Sequence, residues 1–194
     1  ATMLEPTLFP VTFPSILVNA NTGIAVGMAN SICPFNLEEI CRAEIEYIKD
    51  NDINIADYVL APDFPCGGEI LYDRAQMESV LNTGRGGIKV RSVYAYDKSQ
   101  NCIDITEIPP TTTVEAIIEK VIDCIKLKKV TEISDIRDET DKNGLKITID
   151  LKRGTDADKL MRKLFKLTPL QDTFSANFNI LIGGAPRVLG VKEI

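Results

Sequence analysis

The sequence has no histidine and no tryptophan, and only 6% of it is aromatic. Without histidine no Ser-His or Cys-His pair can be built within the chain, which removes the common nucleophilic hydrolases. The five cysteines, Cys33, Cys41, Cys66, Cys102 and Cys124, contain no Cys-x-x-Cys pair. A structural zinc site is therefore not expected, and an odd, scattered set suits a reducing cytosol. No Gly-Lys-Ser or Gly-Lys-Thr follows any glycine-rich turn, so a phosphate-binding P-loop is excluded. Apolar runs are short and broken by Pro10 and Pro14, which predicts neither a membrane span nor a secretory segment in these residues. Charge is also missing locally: from Ala1 to Leu37 the single charged side chain is Glu5. A soluble chain seldom runs that far without charge unless the stretch is buried or faces a partner.

What is present is ordinary for a globular chain. The 194 residues are 44% hydrophobic and 26% charged, enough for a good core in one or two domains. The formal charge of −6 argues against a free-standing nucleic-acid binder, because non-specific affinity comes from Lys and Arg neutralising phosphates. Acidic pairs such as Asp138-Glu139 and Asp156/Asp158 sit in charge-mixed turns expected to be exposed, so neither a metal nor an acid-base role is expected of them.

The pattern along the chain predicts an α+β fold with mostly antiparallel sheet. Pro6, Pro10 and Pro14 predict extended backbone entering a strand at Ser15-Ile16-Leu17-Val18. Asn36 is an N-cap candidate, with Glu39 at the capping-box position and an apolar stripe of Leu37, Ile40, Cys41, Ile45 and Ile48. A short helix is expected over 52–60, a strand over 69–72 and a helix over 73–82. The glycine loop Thr83-Gly84-Arg85-Gly86-Gly87 then opens a hairpin of 88–96 with 102–108. Strand alternation puts Lys89 and Arg91 on one face and Ile88, Val90 and Tyr94 on the other. Thr112 with Glu115 predicts a capped helix whose face is Val114, Ile117, Ile118, Val121, Ile122 and Ile125. Arg137 lies in a loop or edge strand. The clearest strand has Leu145, Ile147, Ile149 and Leu151 inward. Thr155 is expected to cap a helix over 156–167, packed by Leu160, Met161, Leu164 and Phe165, with Lys159, Arg162, Lys163 and Lys166 as a stripe that is either a solvated face or a contact for nucleic acid. A last hairpin over 178–191 should turn at Gly183-Gly184.

Residues 19–36 hold two glycines, Gly23 and Gly27, around Ile24-Ala25-Val26, with small polar residues before and a proline turn after. Alternation alone would make Ile24, Val26 and Met28 one face of a core strand. The segment resembles the Asn-x-x-x-Gly-Ile-Ala-Val-Gly-Met-Ala-x-x-Ile-x-Pro-x-Asn signature of the A subunits of bacterial type IIA DNA topoisomerases. Seven further blocks stand in family order around it: Glu5-Pro6 before it, then Pro62-Asp63-Phe64-Pro65 with Gly67-Gly68, Thr83-Gly84-Arg85-Gly86, Glu107-Ile108-Pro109, residues 136–141, Leu151-Lys152-Arg153 and Pro186-Arg187-Val188-Leu189. Cys33, Phe35, Gly87 and Pro110 depart from the family's usual proline, histidine, serine and tyrosine.

The resemblance implies that residues 1–194 form a tower domain, with a sub-lobe at about 87–167, in a longer DNA breakage-reunion subunit. It implies that Ile24 is a wedge pushed between stacked base pairs, and that Asn21 and Thr22 hydrogen-bond phosphates. Gly23 and Gly27 would let the backbone come close to the duplex. Arg85 in its glycine nest either grips a phosphate or merely ends a turn, and Lys89 and Arg91 could add a local basic patch. The family's catalytic tyrosine stands upstream of the Glu5-Pro6 block, so no catalytic residue is expected here and this stretch alone should be inactive. Implied partners are double-stranded DNA, a second copy of the A subunit, and two B subunits. ATP and Mg²⁺ would be handled through the B subunits, in the bacterial cytoplasm at the nucleoid. A different reading makes 87–167 a small-molecule regulatory or oligomerisation module with an enclosed pocket and no DNA role.

Overall fold

The computed structural model describes residues 4, 6 and 10–194. Glu5 of the Glu5-Pro6 block lies outside the described residues, as does most of the expected extended segment before Pro10. The fold is α+β: among the described residues there are five α-helices and eleven strands, in sheets that pair antiparallel. The chain divides into two compact units, residues 1–63, 77–86 and 176–194 in the first, and 64–76 and 87–175 in the second.

In the first unit, Ser15–Val18 is a four-residue helix (α1) rather than the strand expected there. Pro14 sets the backbone entering it, and Asn19 Nδ2 donates to Ser15 O at 3.0 Å to close the turn. Hairpin β1 (Asn21–Ala25) and β2 (Met28–Ile32) follows. Helix α2 (Leu37–Lys49) is capped as expected: Asn36 Oδ1 accepts from the amides of Glu38 and Glu39. The reciprocal half of the capping box does not form, because Glu39 Oε2 instead accepts from Leu60 N at 3.2 Å. The apolar stripe is also narrower than its spacing suggests: Ile40 and Ala43 are buried, while Leu37, Ile45 and Ile48 are exposed. The helix expected over 52–60 is a single 3₁₀ turn, Ile55–Asp57, capped by Asn54. Its extension stops where Leu60 N is taken by Glu39 and Pro62 follows.

The unit's core is centred on Phe35, which meets Phe178 edge-on at 6.2 Å between ring centres. Ile32, Leu81 and Val80 are buried with them. Cys33 lies in the same interior, where burial pushes its thiol up to about 12. All five cysteines are free. Hairpin β10 (Asn179–Ile182) and β11 (Ala185–Val188) closes the unit, turning at Gly183-Gly184 as expected.

In the second unit, a four-stranded sheet of order β5-β6-β8-β7 is covered on one face by two helices. Its strands are β5 (Val93–Asp97), β6 (Cys102–Glu107), β7 (Ile133–Asp138) and β8 (Ile147–Leu151). Ile103 faces Ile149 and Ile105 faces Ile147 in adjacent pairs, and all four are buried. Helix α4 (Val114–Lys126) lays Ile117 and Val121 on them, and α5 (Ala157–Leu167) lays Leu160 and Leu164. Each such isoleucine or leucine contributes about 1.5–3 kcal/mol by leaving water. Both helices start one residue later than expected: Thr113, not Thr112, caps α4, and Asp156, not Thr155, caps α5. Thr155 Oγ1 faces Glu132 O instead.

The expected long hairpin from Ile88 is cut at Ser92. Strand β4 (Arg85–Arg91) lies between β3 (Glu69–Ile70) and β9 (Gln171–Asn177), whereas β5 pairs with β6. Ser92 is buried and its amide donates to Leu170 O, so the chain leaves one sheet and enters another there. The glycine loop before β4 is a helix-to-strand junction: α3 (Arg74–Thr83) ends on Gly84, whose φ is +69°, and the strand begins at Arg85.

Candidate nucleic-acid interface

The β1–β2 hairpin is built to hold its tip clear of the core. Ala25 and Met28 are its last pair, joined by Val26-Gly27, and Gly27 takes φ +76°, the left-handed value such a tight turn asks of glycine. Burial rises steadily from tip to root: Ile24 is 90% exposed, Met28 40%, and Ile32 only 1%. The core-strand alternative for Ile24, Val26 and Met28 is thereby overturned. They do occupy a hairpin with strand alternation, but both faces at the tip are in water. Alternation reports strand geometry and says nothing of whether anything covers the strand.

Asparagines fix the hairpin. Asn30 Nδ2 donates to Asn21 Oδ1 at 2.7 Å, and Asn30 lies where a side chain on Gly23 would be, since a Cβ there would stand 2.7 Å from Asn30 Oδ1. Gly23 therefore makes room for Asn30 inside the hairpin, while Gly27 has open space around it. On the β2 side, Ala29 O accepts from Asn177 Nδ2 at 2.9 Å and from Asn179 Nδ2 at 3.3 Å. Neither Asn30, Asn177 nor Asn179 was legible as a site residue; spacing gives no hint that three amides converge on one hairpin. Asn21, Thr22 and Ile24 share β1, and Thr22 is exposed opposite Ser31.

Arg85 belongs to the same unit and stands exposed at the first position of β4. Its place is set by Gly84: Gly84 O accepts from Phe178 N at 2.8 Å, and a side chain on Gly84 would run into Leu189 O and Phe178. The Arg85 guanidinium has no partner among the described residues.

Lys89 and Arg91 lie in the second unit and are described within it. The alternation predicted for them is present: Ile88 and Val90 are buried, Lys89 is exposed and Arg91 half-buried. Arg91 is engaged, donating from Nε to Glu69 Oε2 at 2.8 Å and lying 5.9 Å over the Phe165 ring. On α5, Lys159, Arg162 and Lys166 are exposed, and Lys163 pairs with Glu132 at 3.3 Å.

Chemically, the arrangement offers an apolar point on a stiff, uncharged ribbon, neutral amide and hydroxyl groups beside it, and separate cations. No group of three or more Cys, Asp or Glu able to hold a metal occurs among the described residues, and no helix among them is long and apolar enough to cross a membrane.

Comparison with known proteins finds similarity over the whole length. The sequence family that describes the A subunit of DNA gyrase/topoisomerase IV matches residues 1–194. The chain is 41% identical over 196 residues to the A subunit of DNA gyrase from Ureaplasma parvum, covering 98% of the chain and 23% of that protein. It is 38% identical to the corresponding gyrase subunits of Mycoplasma pneumoniae and of Synechocystis sp., covering 97% of the chain and 23% of each relative. The chain thus spans about a quarter of the length of these relatives.

Proposed function

Because this chain belongs to the family of DNA gyrase and topoisomerase IV A subunits, we propose that it is the part of a type IIA topoisomerase that braces and bends the DNA segment to be cut, with Ile24 as the wedge. The observation that carries this reading is the exposure of Ile24, 90%, on a hairpin whose twelve residues from Asn21 to Ile32 include no charge. An isoleucine left in water forgoes the roughly 1.5–3 kcal/mol that burial would bring. A parted base step covers it, and unstacking of about a few kcal/mol is offset by the further contacts of the bent duplex.

Each neighbouring group then has a task. Ile24 rather than Val26 enters the stack, because Ile24 is held in register opposite Ala29 while Val26 sits in the turn. Asn21 uses its carbonyl oxygen inside the hairpin and keeps its amide hydrogens for phosphate oxygens; the Thr22 hydroxyl does the same. Arg85 and Lys89 supply positive charge. Arg91 contributes less, since Glu69 and Phe165 already hold it.

Cleavage itself is assigned to the rest of the protein, with a second copy of the A subunit, and two B subunits, completing the assembly around double-stranded DNA. ATP hydrolysis and the cleavage Mg²⁺ work through the B subunits on this reading, and this chain alone is inactive.

The test is Ile24→Ala in the full-length protein assembled with its B partner, read by FRET between dyes on the two arms of a bound duplex. The bent population should fall roughly tenfold, the effect of about 1.4 kcal/mol of lost apolar contact, with unchanged circular dichroism. Equal bending in variant and wild type would sink the wedge.

A further inference from the structure

The first unit contains eleven Asp and Glu but only five Lys and Arg. Three of the five cations have partners: Arg42 pairs with Glu38, Lys49 with Glu46, and Lys192 lies over the Tyr47 ring. The two left without a partner among the described residues are Arg85 and Arg187. None of the described carboxylates of the unit pairs with either, so both guanidinium groups are open to an outside anion. Glu193, the nearest acid to Arg187 along the chain, accepts from Gly190 N instead.

Arg187 is also the sole charge in either hairpin, 21–32 or 179–188. It stands on β11 directly opposite Ile180 of β10, and side chains of a directly opposed antiparallel pair share one face of the ribbon. Ile180 and Leu181 line a cleft of about 500 Å³ together with Ile24, Ala25 and Met28. The two hairpins therefore lie side by side, joined by the bond from Asn179 to Ala29 O, with apolar groups lining the cleft and Arg187 exposed on the strand beyond β10. Leu181 and Ile182 at the second tip are exposed, as Ile24 and Val26 are at the first.

We propose that the β10–β11 hairpin is a second DNA-contacting element and that Arg187 is its phosphate anchor. Duplex DNA carries about one negative charge per 1.7 Å of axis, so a duplex seated on Ile24 brings phosphates past the neighbouring ribbon. A guanidinium with no partner among the described residues meets them with two parallel hydrogen bonds. Its role is to hold the backbone in place while Ile24 enters the stack. Arg187 reads no bases. The inference rests on the wedge reading of Ile24 and adds a residue that reading does not need.

The experiment compares Arg187→Ala, Arg187→Lys and Ile24→Ala in the full-length protein assembled with its B partner, titrated with one duplex over a series of salt concentrations. Arg187→Ala should weaken binding several-fold and flatten the slope of log K against log salt by about 0.9, the loss of one phosphate contact. The bend angle of the complexes that do form should stay as in wild type. Arg187→Lys should keep the wild-type slope. Arg187→Ala with wild-type affinity and slope overturns the anchor. So does a loss of bending without a change of slope, since that would mean a structural role for the hairpin. If Arg187→Ala is silent while Ile24→Ala bends DNA less, only the anchor fails; if neither variant differs from wild type, the wedge falls with it. A melting curve checks folding, and Arg187→Gln replaces the alanine variant should that one melt early.

Discussion

At the scale of single residues, the positions that decide most are those where a side chain is absent. Gly84 has a left-handed φ of +69°, and a Cβ there would strike Leu189 O and crowd Phe178. Gly154 has a similar φ, +77°, with nothing within 4 Å of where its Cβ would be. Alanine at Gly154 should therefore cost only the backbone strain, about 1 kcal/mol. Alanine at Gly84 adds a clash with backbone in a packed junction and should cost about 3 kcal/mol or more. Thermal melting of the two variants separates the terms; equal melting points would show that the Leu189 carbonyl yields. The same junction sets where Arg85 emerges, so Gly84→Ala should also disturb a cation of the candidate site. From the sequence Gly84 was legible as a turn. That it ends a helix and starts a strand depends on Phe178 and Leu189, far along the chain.

At the scale of elements, the outer face of the four-stranded sheet is held by charge. Thr148 is buried at 2% exposure, its hydroxyl within reach of Asp104 Oδ1 at 2.9 Å and Glu139 Oε2 at 3.0 Å. Lys146 bridges the same two carboxylates, and Arg137 holds Asp135, Glu139 and Asp150. The hydrogen bond from Thr148, then Lys146, holds the Glu139 carboxyl below the usual range. Thr148→Val should lower stability by about 1 kcal/mol near neutral pH through the lost hydroxyl. A depressed carboxylate adds stability above its unfolded-state pKa and loses it as pH falls through the folded value. The gap between wild type and variant should therefore close as the solution is acidified below the ordinary glutamate range, as urea melts across that range would show. Alternation places Thr148 on the solvent side because it gives the face of a strand and not what lies over that face. The long helices were legible for the opposite reason: α2, α4 and α5 each bring an apolar period and a capping side chain that needs only its own neighbours. Strand β9 is hidden in the sequence, since among its seven residues only Phe174 and Ala176 are buried. Helix α1 resembles a strand in sequence because its β-branched and aliphatic residues favour one until Asn19 and Pro14 decide otherwise.

For the whole molecule, charge divides by unit. The first holds the entire excess of six acids, while the second carries seventeen of each sign. No surplus of cations draws DNA to this chain, so the 194 residues alone should bind a duplex weakly and lose it as salt rises. A fluorescence-anisotropy titration checks this, and a nanomolar, salt-insensitive complex at about 150 mM salt would contradict it. On the reading proposed above, weak binding by these residues means that affinity comes from elsewhere in a full-length protein, leaving this part to shape the duplex. The two asparagine amides that meet at Ala29 O bear on that task. A beam clamped at its root and bare at its end passes any load at the tip to the clamp. Force on Ile24 from a duplex trying to straighten would arrive at that root, where Ser31 pairs with Asn177 and one peptide oxygen has two bolts through it. Leucine at Asn177 or Asn179 should therefore leave the point as sharp as before and make its mount yield.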